Sequence, residues 1–252
     1  MPHLDYFYEG RTLNFAHQGA SGYAPGNTLS AFLLAADMGA HGIELDVHLS
    51  ADGEVVVIHN ATVDATTDGT GRVSQLTLSE LKSLDAGSWF GPEFSGERIP
   101  TLQEVFDAVG QRLLINVEIK FDLADHPLEQ QAEVVRLIEA NQMVERVIIS
   151  CFSAGNLRRV REMNPAIPLG FLYSGQETTW LPRVMSGLPV PFDALNPYYD
   201  LVDASYMEKA QRRGQRVNVW TVNHAEDMRR MRDLGVDSII SNYPDVLSGI
   251  VK

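Results

Sequence analysis

Eight short apolar runs, separated by longer amphipathic stretches, recur along this chain and restrict its fold more than any other feature. They are Leu13 to His17, Gly42 to His48, Leu114 to Lys120, Val147 to Phe152, Leu169 to Tyr173, Ala194 to Pro197, Val217 to Val222 and Ser238 to Ser241. Runs of this length between helical patterns read as parallel strands joined by crossover helices, because parallel neighbours need a connection of a dozen residues or more. Eight such strands close a sheet on itself, and about 250 residues suffice for a (β/α)8 barrel. The chain has 252. The pattern predicts an α/β fold, a (β/α)8 (TIM) barrel spanning residues 1–252 as one domain, with segments such as Thr28 to Met38 and Ala225 to Leu234 in the outer helical ring. No internal repeat or low-complexity tract interrupts it, and Pro189-Val190-Pro191 reads as a loop before a strand.

One further run, Val55 to His59, follows the second strand too closely for a crossover. It must return antiparallel around the turn signal Asp52-Gly53 as a β-hairpin, which places His59 opposite Leu45, between Glu44 and Asp46. From Asn60 to about Pro100 the chain is rich in Thr, Gly and Asp. Hairpin and tract together make a small insertion after the second strand, about residues 49–100, ahead of a helix from Leu102 to Val109.

Composition removes several classes of partner. A formal charge of −13 repels a phosphate backbone, and no basic stripe follows any predicted element, so nucleic acid is excluded. Nowhere do about 18 apolar residues run together, so no membrane span is expected. The lone cysteine, Cys151, rules out an intramolecular disulfide, and the first ten residues lack the basic start and apolar stretch of a signal peptide. A cytoplasmic location is the expectation. Oligomeric state has no signature here.

Glu44 and Asp46 lie two residues apart on one strand, as do Glu118 and Lys120 on another, so each pair projects to one face near the carboxyl end of its strand. Three carboxylates inside a barrel cannot stay uncompensated, and a hard divalent cation, Mg²⁺ or Ca²⁺, resolves the conflict. His17 ends the first strand and His59 arrives on the hairpin. Two imidazoles beside a cation suit general acid and base work on a phosphate ester. His41, His48, His126 and His224 flank turns or helices and read as surface residues, with His3 in a loose terminus.

These residues, in this order, resemble the glycerophosphodiester phosphodiesterase family over nearly the whole chain. His17-Gln18-Gly19 and Pro25-Gly26-Asn27-Thr28 resemble its opening His-Arg-Gly and Pro-Glu-Asn-Thr. Gly42 to Val47, with Asp52-Gly53 and His59, is similar to its metal and second-histidine block, and Thr66 to Gly71 to its insertion motif. Val117 to Lys120, Trp220 to Asn223 and Gly235 through Pro244 match later signatures. The resemblance implies hydrolysis of a small-molecule glycerophosphodiester to sn-glycerol 3-phosphate and an alcohol. Glu44, Asp46 and Glu118 would hold the cation, His17 and His59 would act as base and acid, and Lys120 would neutralise the phosphate. A glycerol hydroxyl would attack phosphorus, giving a cyclic phosphate that water then opens. Trp220 and Phe171 are read as walls of the glycerol or alcohol pocket.

Gln18 stands where the family has the Arg that contacts phosphate, Gly26 where it has Glu, Asn60 where Asp follows the second histidine, and Ala65 where the insertion motif has Arg. A neutral amide replaces a planar cation at the phosphate-binding position. Loss of Arg and Glu together is what a charge pair predicts, since keeping one would strand a charge. The alternative function is a catalytically weak or inactive phosphodiester-binding barrel. A phospholipase D-like toxin on the related barrel is disfavoured, because disulfides and an export signal would be expected of it.

Overall fold

The computed structural model describes residues 5–8, 10–120, 128–175 and 192–251. His3, His126 and Pro189-Val190-Pro191 lie outside them. Among the described residues are nine strands: β1 (Leu13–His17), β2 (Gly42–Leu49), β3 (Val55–Val57), β4 (Leu114–Ile119), β5 (Val147–Cys151), β6 (Leu169–Tyr173), β7 (Ala194–Pro197), β8 (Arg216–Val219) and β9 (Ser238–Ser241). All except β3 are parallel neighbours in one ring. It closes because β1 pairs on both edges, Ala16 standing opposite Ile43 of β2 and Ser241 of β9. The helices are α1 (Asp5–Tyr8), α2 (Leu29–Asp37), α3 (Leu78–Ser83), α4 (Leu102–Val109), α5 (Leu128–Ala140), α6 (Ala154–Met163), α7 (Ala204–Arg212), α8 (Ala225–Leu234) and α9 (Pro244–Ser248). Thr28, Thr101, Ser153 and Asp203 start α2, α4, α6 and α7 by accepting a backbone N–H of the first turn. Among the described residues no helix is long and apolar enough to cross a membrane.

The two-residue period of the strands divides the molecule into two interiors. One set, including Ile43, Leu45 and Val47 of β2 and Ile115, Val117 and Ile119 of β4, faces outward and packs with Phe32, Leu102 and Val105 of the helical ring. The other set points into the barrel. At the amino ends of the strands it joins Leu13, Phe15, Ile148 and Ala194 to Phe7 and Tyr8 of α1, which closes the bottom. Phe7 stacks on Phe15 with ring centroids 6.2 Å apart. Asn218 Nδ2 donates to Tyr8 Oη at 2.9 Å, and the Arg216 guanidinium lies 5.3 Å from the Tyr8 ring centroid while pairing with Asp237 at 2.8 Å.

β3 returns antiparallel from β2, with Val47 opposite Val57 and Leu49 opposite Val55, and continuing this register sets His59 against Leu45 as the spacing predicts. Alternate carbonyls of β2 show which edge it takes. Val47 O accepts Lys120 N from the β4 side, so Asp46 O, which accepts Ile58 N at 3.0 Å, faces the edge that β1 leaves after His17. The two faces of β3 serve different cores. Val55 and Val57 join the barrel core, whereas Val56 and Ile58 join Val63, Val73, Leu81, Ala86 and Ile99 in a separate core under the insertion. A capping box, Thr77 with Glu80, starts α3, and Lys82 of that helix pairs with Glu104 of α4.

Two sequence readings need correction. The run Val217 to Val222 stops being a strand at Val219, and beyond it Trp220 keeps a single bridge to Tyr198, its N–H donating to Pro197 O at 3.4 Å and its carbonyl accepting Tyr199 N at 3.1 Å. His41 and His48 are half-buried rather than surface residues. His41 Nδ1 accepts Asn14 N at 2.9 Å, and His48 Nε2 lies 3.1 Å from His59 O.

Candidate active site

At the carboxyl ends of the strands, register brings the charged residues together. His17 stands opposite Glu44, Asp46 opposite Glu118, and Glu118 opposite Ser150. All three carboxylates are buried, and each offers an oxygen within 4.8 Å of the others. Lys120 Nζ lies 2.8 Å from Glu118 Oε1 and 3.2 Å from Asp46 Oδ1. Burial, then the charges of Asp46 and Glu118, push the Glu44 carboxyl well above the usual carboxylate range. Burial raises Glu118 too, with Lys120 pulling against it. It acts the same way on Asp46, but Lys120, His59 and a hydrogen bond from Asn27 outweigh it and hold that carboxyl below its ordinary value. Burial disfavours charge on Lys120, yet Asp46 and Glu118 keep it protonated well beyond the lysine norm.

The histidines flank this cluster, and an asparagine orients each. His17 Nδ1 is 2.7 Å from Asn242 Oδ1, which makes Nδ1 the protonated nitrogen and leaves Nε2 free, 3.9 Å from Glu44 Oε2. Burial is the main force lowering the His17 pKa, against Asp46 and the Asn242 hydrogen bond. His59 Nδ1 is 2.7 Å from Asn60 Oδ1, so the Asn that follows the histidine orients its ring.

These groups line one cavity of about 240 Å³, together with Asn116, Ser150, Phe152, Leu172, Trp220, Thr221 and Ile240. Trp220 is thus at the wall, its Nε1 donating to Asn196 O at 2.7 Å and its ring edge-on to Phe152 with centroids 5.6 Å apart. Phe171 is not. Its side chain faces outward, 2% exposed, stacked on Phe192 at 5.2 Å, and the inward position on β6 belongs to Leu172. Gln18 also departs from expectation, since its amide does not point into this cavity but donates from Nε2 to Asp46 Oδ2 at 2.8 Å. Position 26 adjoins it, for a Cβ on Gly26 would lie 2.7 Å from Gln18 Oε1. Sequence reasoning missed Asn116, Ser150, Phe152, Leu172 and Asn242. Asn116 was within reach of the strand period, being two residues before Glu118.

Three carboxylates against one lysine leave two negative charges uncompensated, which suits an oxygen-seeking divalent cation. A closed (β/α)8 barrel with two oriented imidazoles and a carboxylate cluster that could hold a metal ion, all at the carboxyl ends of its strands, has the layout of a barrel-enzyme active site. The chain belongs to the glycerophosphoryl diester phosphodiesterase family, whose model matches residues 17–246, and it is an enzyme of that class. It is 42% identical to a glycerophosphodiester phosphodiesterase of Caldanaerobacter subterraneus, over 96% of this chain and 98% of that one. Among solved structures it is similar to an Oleispira antarctica phosphodiesterase in complex with the product sn-glycerol-3-phosphate, with TM-score 0.85, 29% identity, and coverage of 97% of this chain and 98% of that one. A glycerophosphodiester phosphodiesterase of Agrobacterium tumefaciens gives TM-score 0.83 at 28% identity, covering 95% of this chain and 100% of the other.

Proposed function

We propose that this chain hydrolyses glycerophosphodiesters to sn-glycerol 3-phosphate and an alcohol, using a divalent cation, Mg²⁺ or Ca²⁺, held by Glu44, Asp46 and Glu118. The buried carboxylate cluster beside two asparagine-oriented histidines carries this reading. When bound, the cation supplies Lewis-acid stabilisation of charge on the phosphoryl oxygens. Lys120 adds a fixed positive charge on the same side. His17, neutral because its pKa is lowered and with Nε2 free, takes the proton from a glycerol hydroxyl as that oxygen bonds to phosphorus. His59, exposed at the mouth, gives a proton to the alcohol oxygen as its bond to phosphorus breaks. The two histidines exchange roles when water opens the resulting cyclic phosphate. Asn116 Oδ1 and Ser150 Oγ, buried in the cavity wall without a protein partner among the described residues, suit the hydroxyls of the glycerol arm.

A coupled assay for sn-glycerol 3-phosphate released from glycerophosphocholine and glycerophosphoethanolamine tests this. Chelation is expected to abolish the signal, and His17→Ala and His59→Ala each to reduce it by about 10²–10⁴-fold. Activity that survives either treatment overturns the mechanism. The contact of Gln18 with Asp46 favours the second reading, a phosphodiester-binding barrel of low turnover, because that amide is engaged away from the phosphate. Metal-dependent ligand binding without turnover on any diester would establish it.

A further inference from the structure

Asp46 Oδ2 accepts two hydrogen bonds, from Gln18 Nε2 and Asn27 Nδ2, each at 2.8 Å. A carboxylate oxygen has two in-plane lone pairs, so this oxygen has none left for an ion. Asp46 Oδ1 has only the looser 3.2 Å contact with Lys120. Neither of the other two carboxylates shows an oxygen taken by two short amide donors: Glu44 Oε2 accepts Gln18 N at 3.3 Å, and Glu118 Oε1 faces Lys120 at 2.8 Å. Both clamping residues have left-handed backbones, φ 54° at Gln18 and 62° at Asn27, and Asn27 N donates to Gln18 O at 2.9 Å. Asn27 Oδ1 in turn accepts Asp46 N at 3.3 Å, and Gly26 between them makes room for the Gln18 amide.

We infer that Gln18 and Asn27 restrict Asp46 to single-oxygen coordination, and that this makes the cradle selective for a small six-coordinate ion such as Mg²⁺ over Ca²⁺. Ca²⁺ takes six to eight oxygens and gains from carboxylates that offer both, whereas Mg²⁺ accepts one oxygen from each and keeps several waters. Gln18 is a positioning residue in this account, acting through Asp46. The inference rests on the cation site of the proposed function.

The test is calorimetric titration of wild type, Gln18→Met and Gln18→Asn with Mg²⁺ and with Ca²⁺, alongside infrared difference spectra of the carboxylate stretches on Ca²⁺ addition. Methionine keeps the length of the side chain without a donor. Asparagine keeps an amide and tolerates the positive φ, but is one methylene too short to reach. Both variants are expected to raise affinity for Ca²⁺ relative to Mg²⁺ by about tenfold, the scale on which residues behind a metal ligand act, and to increase the bidentate carboxylate intensity over that of wild type. An unchanged ratio in folded variants, or no gain in bidentate band intensity over wild type, overturns the inference. Metal-dependent hydrolysis with an unchanged ratio leaves the proposed function standing, while wild type that binds neither ion overturns both.

Discussion

At the bottom of the barrel Tyr8, Asn218, Arg216 and Asp237 meet complementary partners, whereas at the top three carboxylates share one lysine. Both regions bury polar or charged groups inside the one barrel, so burial alone does not distinguish them. What differs is whether the neighbours relieve the cost of burial. Below, Ser238 donates to Asn218, Asn218 to Tyr8, and Arg216 pairs with Asp237. Above, like charges crowd, and Glu44 is raised well out of the normal carboxylate range. Crowding of buried like charges is a common pattern of active sites, and the carboxyl ends of the strands are where barrel enzymes place theirs.

The contrast is open to experiment. Asp46→Ala is expected to reduce phosphodiester hydrolysis on the order of 10³-fold in the coupled assay, and a near-normal rate would place the chemistry elsewhere. Phe7→Ala should act the opposite way, costing about 3–5 kcal/mol in urea unfolding while the folded enzyme keeps its kcat. Tyr8→Phe removes only the hydroxyl that receives Asn218 and should cost about 1 kcal/mol in the same measurement, again with kcat intact. The smallest effect is expected of Glu44→Gln and depends on sign. Because the folded-state pKa of Glu44 is raised, its ionisation costs stability at pH values above that pKa, and the cost disappears as pH falls to the ordinary glutamate range. Without cation, the variant should therefore melt higher than wild type near neutral pH, with the gain shrinking on acidification. Saturating cation should reverse the order, since it stabilises wild type more than the variant.

The strands, the hairpin and the carboxylate cluster were legible because each obeys a short-range rule. Glu44 and Asp46 cannot face the apolar helical layer, so their period fixes the side on which they lie. Phe171 had no such marker. The run Leu169 to Tyr173 is apolar on both faces, as parallel strands buried on both sides are, and only pairing with its neighbours shows that Leu172 points inward. The asparagines were illegible for another reason. Asn27 reaches Asp46 from a left-handed position in the loop after β1, and Asn242 reaches His17 across the β1–β9 seam, contacts that no local period encodes.

The two-faced strand β3 gives the molecule a division of labour in inheritance. It carries His59 at its end, with one face set in the barrel core and the other in the small core of the insertion. Replacing apolar residues of that satellite can therefore re-aim one imidazole while the carboxylates on β2 and β4 keep their register. Under the proposed mechanism, the insertion becomes a tuning element through which selection or design can adjust proton delivery to new alcohols without rebuilding the carboxylate cluster.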